Sequence, residues 1–498
     1  MKRYTIIALC ILLTGATSCK KFLEEKPRDN VTPQQFYKTE KQLSAAVDGA
    51  YVGLANPYIS LFLGLSVADF LSIESITGYA TRPGIQGVDE GQFQYLSPKV
   101  ETSNGYVYNI WKNAYLPLEN CNSVIANISA TTIVDDATKN KYLGQVYFLR
   151  AYHYFNLVRY FGDVPLKTLP TKSSDNFNVP RNHQEAVYDQ IVSDLLAAEA
   201  TNLPVLASDA SGHVTSTAVK AMLAKVYLTM AGFPLNKGAE YYQKAYDKAK
   251  ELIDGKEASL FTTYEDIRLY ANKNKAENIF MVQRDAVANT SLIHYTMLPY
   301  QGDSGYSKVS ENGGGLAPDQ NFYDSYTDDD VRKGEKQFFY IYPYPNTTKT
   351  TLTIYKYWDQ AAAGSGNSGE NIPLIRYPDV LLTCAEAKAN LDGGSTTDAT
   401  AVAAYNAVHT RAIPAGAKTT ITTEDVLRER FWEFCYENQT WFDMIRTRKA
   451  LDVPGTNIVN LIGYKAPQHT RAFEEADLLL PLPLQETQNN PELSGPVQ

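Results

Sequence analysis

The sequence predicts an all-α protein in which a scaffold of repeated helices is interrupted by a large, loop-rich insertion that carries short β-strands. The first observation is that apolar residues recur at helical spacing in most of residues 34–255, apart from residues 56–108, and again in residues 376–498. The second is that this spacing disappears in residues 256–375, where glycines and other turn-forming residues are frequent. Residues 34–498 are therefore predicted to form one domain.

The helical spacing is clear from the start of this domain, where the apolar residues from Phe36 to Leu54 lie seven, four, four and three positions apart. Residues 56–108 lose the spacing and are predicted to form long loops. Gly162 is expected to end one helix, and Thr423 is expected to cap another. Helices are predicted over residues 108–128, 138–161, 183–200, 216–231, 238–253, 378–390, 397–411 and 423–449.

Two predicted helix pairs, residues 216–253 and 378–411, resemble degenerate tetratricopeptide repeats. Alanines occur where the two helices of each pair would approach closely. A repeat of this kind cannot bury its apolar face alone and stacks on its neighbours. The pattern predicts a tetratricopeptide-like scaffold, but an ordinary antiparallel helix pair would also produce it.

The insertion contains two runs that are typical of strands, at residues 279–282 and 352–357. Trp358 follows the second run, where either a sugar-stacking role or a packing role fits. Asp328, Asp329 and Asp330 offer carboxylates to a calcium ion, but they lack the spacing of a calcium-binding loop. A solvated turn is the favoured interpretation, and no metal or cofactor is expected.

The amino terminus has the three parts of an export signal: a basic start, a short apolar stretch at residues 6–13, and small residues before Cys19. The position of Cys19 resembles the bacterial lipobox, whose cysteine carries the lipid. Residues 1–18 are therefore predicted to be a lipoprotein signal peptide and residues 19–33 a tether. A plain cleaved signal with a chance cysteine is the alternative. No later segment is long and apolar enough to span a bilayer.

Composition excludes several classes of function. The chain has a net charge of −9 and no basic runs, which argues against nucleic-acid binding and against membrane contact other than through the lipid. Cys121, Cys384 and Cys435 lack the spacing of a disulfide framework and are predicted to be buried thiols. The common enzyme signatures are absent from the sequence, although the paired carboxylates of a glycosidase have no fixed spacing.

Several blocks of sequence, taken in order, resemble the SusD/RagB family of surface nutrient-binding lipoproteins. The most specific block is RAYHYFNLVRYFGDVPL at residues 150–166. The others are SCKKFLEEKP at residues 18–27, ENIF at 277–280, IRYPDVLLTCAEA at 375–387, the set Glu429, Arg430, Glu433, Glu437, Trp441, Phe442, Asp443 and Arg446, and the carboxyl-terminal set Leu482, Pro483, Glu486 and Asn490 to Leu493. Pro378, Cys384 and Thr440 depart from the usual family residues, which puts a local ion pair in doubt.

This resemblance implies a function as well as a fold. A member of the family would be held on the outer face of the outer membrane, where it acts as a lid over a SusC-like TonB-dependent transporter. It would capture an oligosaccharide and pass it to that transporter without catalysis. The motif residues, among them Arg150, Arg159, Trp441 and Asp443, are interpreted as architecture, with the two arginines snorkelling from an aromatic helix.

Ligand-binding residues are expected in loops that a rigid scaffold holds in place. Aromatic rings stack on the apolar faces of sugars, and polar side chains bind the hydroxyl groups. Two stretches combine these residue types, although a loop tyrosine is often only a packing residue. The candidates are Tyr79, Arg82 and Tyr95 in the first stretch and Tyr295, Tyr300 and Tyr306 in the second.

Three alternatives to glycan binding stay open. The same lid could serve peptides or another nutrient, in which case loop acidity would matter more than stacking. A surface glycoside hydrolase would turn over chromogenic glycosides, and a structural repeat adaptor would bind proteins and no small ligand.

Overall fold

The computed structural model of the chain describes residues 36–58, 69–81, 100–172, 174–291, 293, 297, 316–344, 347–365 and 367–498. Helices dominate these residues, and the strands are short and pair two by two. None of the described helices has the length and hydropathy needed to cross a membrane. The helices are α1 Glu40–Tyr51, α2 Asp69–Ile76, α3 Gly105–Ala130, α4 Asp136–Phe161, α5 Gln184–Glu199, α6 Ser216–Ala231, α7 Ala239–Asp254, α8 Gln320–Asp324, α9 Tyr377–Leu391, α10 Ala399–Ala412, α11 Thr423–Glu433, α12 Thr440–Thr447 and α13 Leu484–Asn489.

Most predicted helices are confirmed to within three residues at each end. Helix α4 ends where expected, because Gly162 adopts a φ of +69° that other residues disfavour. The prediction of long loops over residues 56–108 is wrong in part, since it missed α2 and the last turn of the 3₁₀ helix Val52–Tyr58.

The predicted helix 423–449 is also wrong, because the chain divides it into α11 and α12. Tyr436 and Asn438 adopt left-handed conformations with φ of 62° and 55°, which a continuous helix cannot contain. Between them, Glu437 turns inward to bind Arg376. The cap of α11 is Thr422 rather than Thr423, and it forms a capping box with Asp425.

The helices pack largely in chain order, with α3 on α4, α4 on α5 and α6 on α7. Helix α7 then packs against α9, and α9 packs against α10, although the whole insertion separates α7 from α9 in sequence. The alanines at these contacts are fully buried, which lets the helix backbones approach closely. These alanines are Ala245, Ala249, Ala385 and Ala387.

The insertion is closed at its base by a two-stranded antiparallel sheet. Strand β2, Asn278–Val282, pairs with β6, Ile372–Arg376, and so joins the beginning of the insertion to its end. Two further pairs matter for the site. Strand β1 is Ala80–Thr81 and β3 is Ala317–Pro318, while β4, Phe339–Pro343, and β5, Thr350–Ile354, form a hairpin. The remaining strands are β7 Ser395–Thr396, β8 Ile421–Thr422, β9 Lys449–Leu451 and β10 Ile458–Asn460.

The three predicted thiols are confirmed as free and buried. Burial raises the pKa of Cys121 and Cys384 to about 12 and that of Cys435 to about 11. A thiol with such a pKa stays protonated at neutral pH and is a poor nucleophile.

Candidate functional site

The described residues that flank one side of each predicted ligand-binding stretch belong to the same pair of strands. Strand β1 pairs antiparallel with β3, so that Thr81 lies opposite Ala317. Residues 82–95 follow β1 directly, and the stretch that contains residues 294–306 precedes β3. The fold therefore brings Thr81 and Ala317, the described residues that flank the two stretches, together, although more than 200 residues separate them in sequence.

Five of the six predicted ligand-binding residues lie outside the described residues. They are Arg82, Tyr95, Tyr295, Tyr300 and Tyr306. Their contact with a ligand stays a prediction, as does the lipid on Cys19, which also lies outside the described residues.

Tyr79 is described, and it lies in the core with 2 % of its surface exposed. Its ring stacks on Phe322 at a centroid distance of 5.1 Å. Its hydroxyl donates to the backbone oxygen of Leu451 and accepts from the backbone N–H of the same residue, both at 2.8 Å. Burial raises the pKa of Tyr79 well above its usual value. The expectation that this ring stacks on a ligand is therefore not met here, because Tyr79 packs beneath the β1–β3 pair.

Further hydrogen bonds hold this pair in place. The backbone N–H of Asp319 donates to the Tyr79 carbonyl at 2.9 Å, and the Tyr436 hydroxyl donates to the same oxygen at 3.1 Å. The Asp319 carboxylate caps α8 and accepts a bond of 2.6 Å from Gln468. Thr81 and Ala317, which flank the two stretches, thus belong to a rigid support, which favours a defined binding geometry.

An aromatic hairpin lies beside this support, because β5 is adjacent to β3. Tyr340 and Tyr342 lie in β4, and Tyr344 follows it directly, with successive ring centroids 6.2 Å and then 5.2 Å apart. Tyr340 and Tyr344 are half-buried. The sequence analysis missed these rings, although tyrosine at every second position is the signal of one strand face.

Basic side chains accompany the aromatic hairpin. Lys336 lies 5.0 Å from the Tyr340 ring, and Lys349 lies 4.8 Å from the Tyr344 ring. Such groups donate hydrogen bonds to hydroxyl oxygens, while the rings supply apolar faces. Trp358 is different, since it is 7 % exposed and stacks on Tyr355 at 5.8 Å. Its role is packing rather than that of an open sugar platform.

The arginines of the most specific sequence block do not snorkel to solvent as expected. Arg150 is buried and makes two hydrogen bonds to Asp194, of 2.8 and 2.7 Å. Arg159 lies between the rings of Phe155 and Phe442. Both side chains are held in the protein by contacts that hydropathy alone does not reveal.

Many other family-block residues belong to a buried ion-pair network. Arg376 binds Glu277, Glu433 and Glu437, and Arg332 binds Glu429 and Asp330. The positive charges of Arg411, Arg376 and Arg332 lower the pKa of Glu433 to about 2, although burial opposes the shift. The network ties the insertion to α11 and thereby fixes the support of the aromatic hairpin.

The run of three aspartates does not form a metal site. No cluster of potential metal ligands occurs in the part of the chain that the structure describes. Asp328 is exposed and pairs with Lys333 at 2.9 Å, as a solvated turn requires. Asp330 departs from that expectation, because it is fully buried against Arg332.

Comparison with known families gives a match over nearly the whole chain. The model of the SusD family matches residues 200–495, and a model described as starch-binding, associating with the outer membrane, matches residues 21–228. SusD-like protein P2 of Formosa agariphila is 27 % identical over 538 aligned residues, covering 99 % of each chain. A SusD-like protein of Bacteroides ovatus is 26 % identical and covers 99 % of this chain and 97 % of its own.

Solved structures share the fold. A SusD superfamily protein from Parabacteroides distasonis has a TM-score of 0.82 at 33 % identity, covering 91 % of this chain and 98 % of its own. Surface glycan-binding protein A from Bacteroides thetaiotaomicron, in complex with laminarihexaose, has a TM-score of 0.75 at 21 % identity, covering 91 % and 98 %.

Proposed function

Because this chain belongs to the SusD family, we propose that it is a surface lipoprotein that captures an oligosaccharide and delivers it to a SusC-like TonB-dependent outer-membrane transporter. The observation that supports the proposal is the β1–β3 pair, which brings Thr81 and Ala317, the described residues that flank two aromatic-rich stretches, together beside the aromatic hairpin. Rings and polar groups on one rigid support suit the apolar faces and hydroxyl edges of sugars.

The proposed ligand class follows the chemistry of these groups. Laminarihexaose is bound in the glycan-binding protein named above, and another structure of this fold contains a xylogluco-oligosaccharide. Among the proposed contact residues, Tyr300 and Tyr306 come from the sequence and Tyr340 and Tyr344 from the aromatic hairpin. Peptide or other nutrient binding on the same surface is the alternative.

Calorimetry on the purified full chain tests the ligand class. Laminarihexaose, a xylogluco-oligosaccharide and maltoheptaose are titrated, with an oligopeptide mixture as the comparison. We expect one glycan to bind and Tyr306→Ala or Tyr340→Ala to weaken it by about tenfold or more, since one lost stacking contact of ~1.4 kcal/mol has that effect. Tyr270→Ala, an exposed tyrosine outside this surface, is the matched control. Peptide binding with no glycan binding would overturn the proposal.

We further propose that residues 1–18 are removed as a signal peptide, that Cys19 carries the lipid, and that residues 19–33 tether the domain 34–498 to the outer face of the outer membrane. The test is labelling of cells with a radiolabelled fatty acid. The wild type should take up label and Cys19→Ala should not. Protease added to intact cells should then digest the wild-type domain, whereas protection would contradict an outward orientation.

The transporter partnership rests on the family and on the stacked helices. The pairs α6–α7 and α9–α10 would act as tetratricopeptide-like repeats, which offer extended surfaces to protein partners. Copurification of a TonB-dependent transporter with the tagged full chain tests this step. Recovery of the chain alone from gently solubilised membranes would speak against it.

The proposed role needs no catalysis. Among the described residues, Glu370 is a candidate for the hydrolase alternative. Burial and the nearby charge of Asp359 raise its pKa to about 7. A carboxyl group with such a pKa is suited to a general acid. We expect no turnover of a chromogenic glycoside panel, whereas turnover that Glu370→Gln abolishes would establish a hydrolase.

A further inference from the structure

A second cleft lies among the helices, with walls from α3, α4 and α6 and from the turn before α12. It is partly open to solvent, so a small solute can reach the side chains that line it. Its described lining comes from neither the β1–β3 pair nor the aromatic hairpin. One wall is apolar and consists of Ile110, Met222, Leu374 and Phe442.

Arg159 supplies a positive charge to this cleft. Its guanidinium carbon lies 3.9 Å from the centroid of the Phe155 ring and 3.7 Å from that of Phe442. Its Nε donates to the Phe155 carbonyl and its Nη2 to the side-chain oxygen of Asn156. No carboxylate among the described residues lies within ion-pairing distance of it, so its charge is solvated by neutral groups only.

The neighbouring charges do not balance Arg159 either. Lys225 also lines the cleft and binds Asp379 at 2.8 Å, but Asp379 shares its charge with Arg430. Burial lowers the pKa values of Arg159 and Lys225, as expected where positive charge is desolvated. The ion pairs around Lys225 contain three cations, Lys225, Arg430 and Arg446, and three carboxylates, Asp379, Asp443 and Glu386. Glu437, which also lines the cleft, already binds Arg376 and Lys356. Among the described residues, Arg159 is therefore a positive charge that no ion pair balances.

His153 adds an unsatisfied polar group to the cleft wall. It is 4 % exposed, and its Nε2 has no hydrogen-bond partner among the described residues. Burial lowers its pKa to about 3, so the ring is neutral at physiological pH. A buried polar atom without a partner is destabilising, and a bound ligand with a polar group would supply the missing hydrogen bond.

We propose that this cleft binds a small organic carboxylate. The carboxylate accepts hydrogen bonds from Arg159 and from the third N–H of Lys225, whose ammonium otherwise binds Asp379 and Gln439. The Nε2 of His153 contacts a second polar group of the ligand. The carbon skeleton of the ligand lies against Ile110 and Leu374. An acidic sugar and an acid with an apolar body share this chemistry.

Calorimetry and thermal unfolding of the purified full chain test the proposal. Sodium glucuronate represents the acidic sugar and sodium benzoate the apolar acid, each compared with its neutral analogue, glucose or benzamide, at constant ionic strength. We expect saturable binding of at least one carboxylate, an increase in Tm, and binding of the neutral analogue weaker by about tenfold or more. Tighter binding of glucuronate would indicate that the natural ligand is an acidic sugar, and tighter binding of benzoate would indicate an acid with an apolar body.

The variant Arg159→Met replaces the stem of the side chain and removes the charged guanidinium group, and it should weaken carboxylate binding by about tenfold or more. Arg159→Lys retains the charge without the planar fork and should bind with intermediate affinity, which keeps the test valid if the methionine variant fails to fold. Arg471→Met, outside the cleft, is the matched control.

Of laminarihexaose, the xylogluco-oligosaccharide and maltoheptaose, the glycan that binds the wild type should bind Arg159→Met with equal affinity, so failure here is distinguishable from failure of the proposed glycan function. Absence of saturable carboxylate binding by the wild type would overturn the proposal. So would equal carboxylate affinity in the wild type and in both Arg159 variants.

Discussion

Arg376 and Glu437 form a two-bond ion pair in the protein interior. The Arg376 Nε donates to Glu437 Oε2 at 2.9 Å, and its Nη2 donates to Oε1 at 2.6 Å. Arg376 is the last residue of β6, and Glu437 lies in the turn between α11 and α12. The pair therefore joins the end of the insertion to the carboxyl-terminal helices. The two residues beside Glu437, Tyr436 and Asn438, have left-handed backbone conformations.

Arg376→Met should destabilise the protein by about 3–5 kcal/mol, since it leaves buried carboxylates without their cation. Glu277, Glu433 and Glu437 all lose a partner in this variant. Urea unfolding monitored by circular dichroism measures the effect. Lys244→Met breaks an exposed ion pair with Glu240 and should change stability by less than about 0.5 kcal/mol. Equal losses in the two variants would contradict a role of burial.

Glu74 should make the protein less stable as the pH rises. It is buried and accepts a hydrogen bond from the backbone of Asn438, and burial raises its pKa to about 8. The unfolded carboxyl titrates near its model value of 4.5. Since the folded pKa is the higher one, the stabilising contribution is complete below pH ~4.5 and is lost as the pH rises through ~8, at up to about 1.4 kcal/mol per pH unit.

Glu74→Gln keeps the acceptor oxygen and removes the titration. The stability of the variant should therefore fall less than that of the wild type between pH 5 and pH 8, which urea midpoints at a series of pH values would show. Glu424→Gln, at an exposed position in α11, should parallel the wild type. Parallel curves for Glu74→Gln and the wild type would disprove the assignment.

Substitution of two adjacent threonines tests which of them caps α11. The Thr422 hydroxyl accepts from the Asp425 backbone N–H at 3.1 Å, and the Asp425 carboxylate accepts from the Thr422 N–H at 3.0 Å. Thr422→Ala should cost about 1 kcal/mol in unfolding free energy. Thr423→Ala, at the position that the sequence favoured, should cost less than about 0.5 kcal/mol. The reverse order of effects would restore the sequence-based cap.

The helical scaffold could be predicted from sequence because its signal is local. Helix α6 matches its predicted bounds of 216–231, since apolar and small residues fill almost every position and all residues but Ser216, Lys220 and Lys225 are buried. The break after Glu433 could not be predicted in this way. Its cause is Arg376, which lies 61 positions from Glu437 in sequence, and no local pattern contains that contact.

The candidate site was predictable only in part for the same reason. Composition identified two stretches with binding chemistry. The pairing of Thr81 with Ala317, which flank these stretches, is a tertiary contact that composition does not reveal. For Tyr79 the sequence suggested exposure that the structure does not show. A tyrosine beside a polar loop is expected to be accessible, but the Tyr79 ring is buried against Phe322. Exposure depends on neighbours that are remote in the chain.

Tyr79→Phe separates support of the site from contact with the ligand. Loss of the hydroxyl leaves the N–H and carbonyl groups of Leu451 without their present partner, which should reduce stability by about 1–3 kcal/mol. The ring and its stacking on Phe322 remain, so the β1–β3 pair should keep its geometry. Glycan affinity of the folded variant should therefore stay within about twofold of the wild type.

Urea unfolding and calorimetry on the same preparation measure both quantities. Tyr340→Phe is the matched comparison, because it removes a hydroxyl from a half-buried ring on the aromatic hairpin and should affect stability less. A loss of glycan affinity of about tenfold in Tyr79→Phe, with stability unchanged, would show that this hydroxyl contacts the ligand after all. The buried position of Tyr79 would then describe a closed state of the site, and ligand binding would have to open the contact between the Tyr79 ring and Phe322.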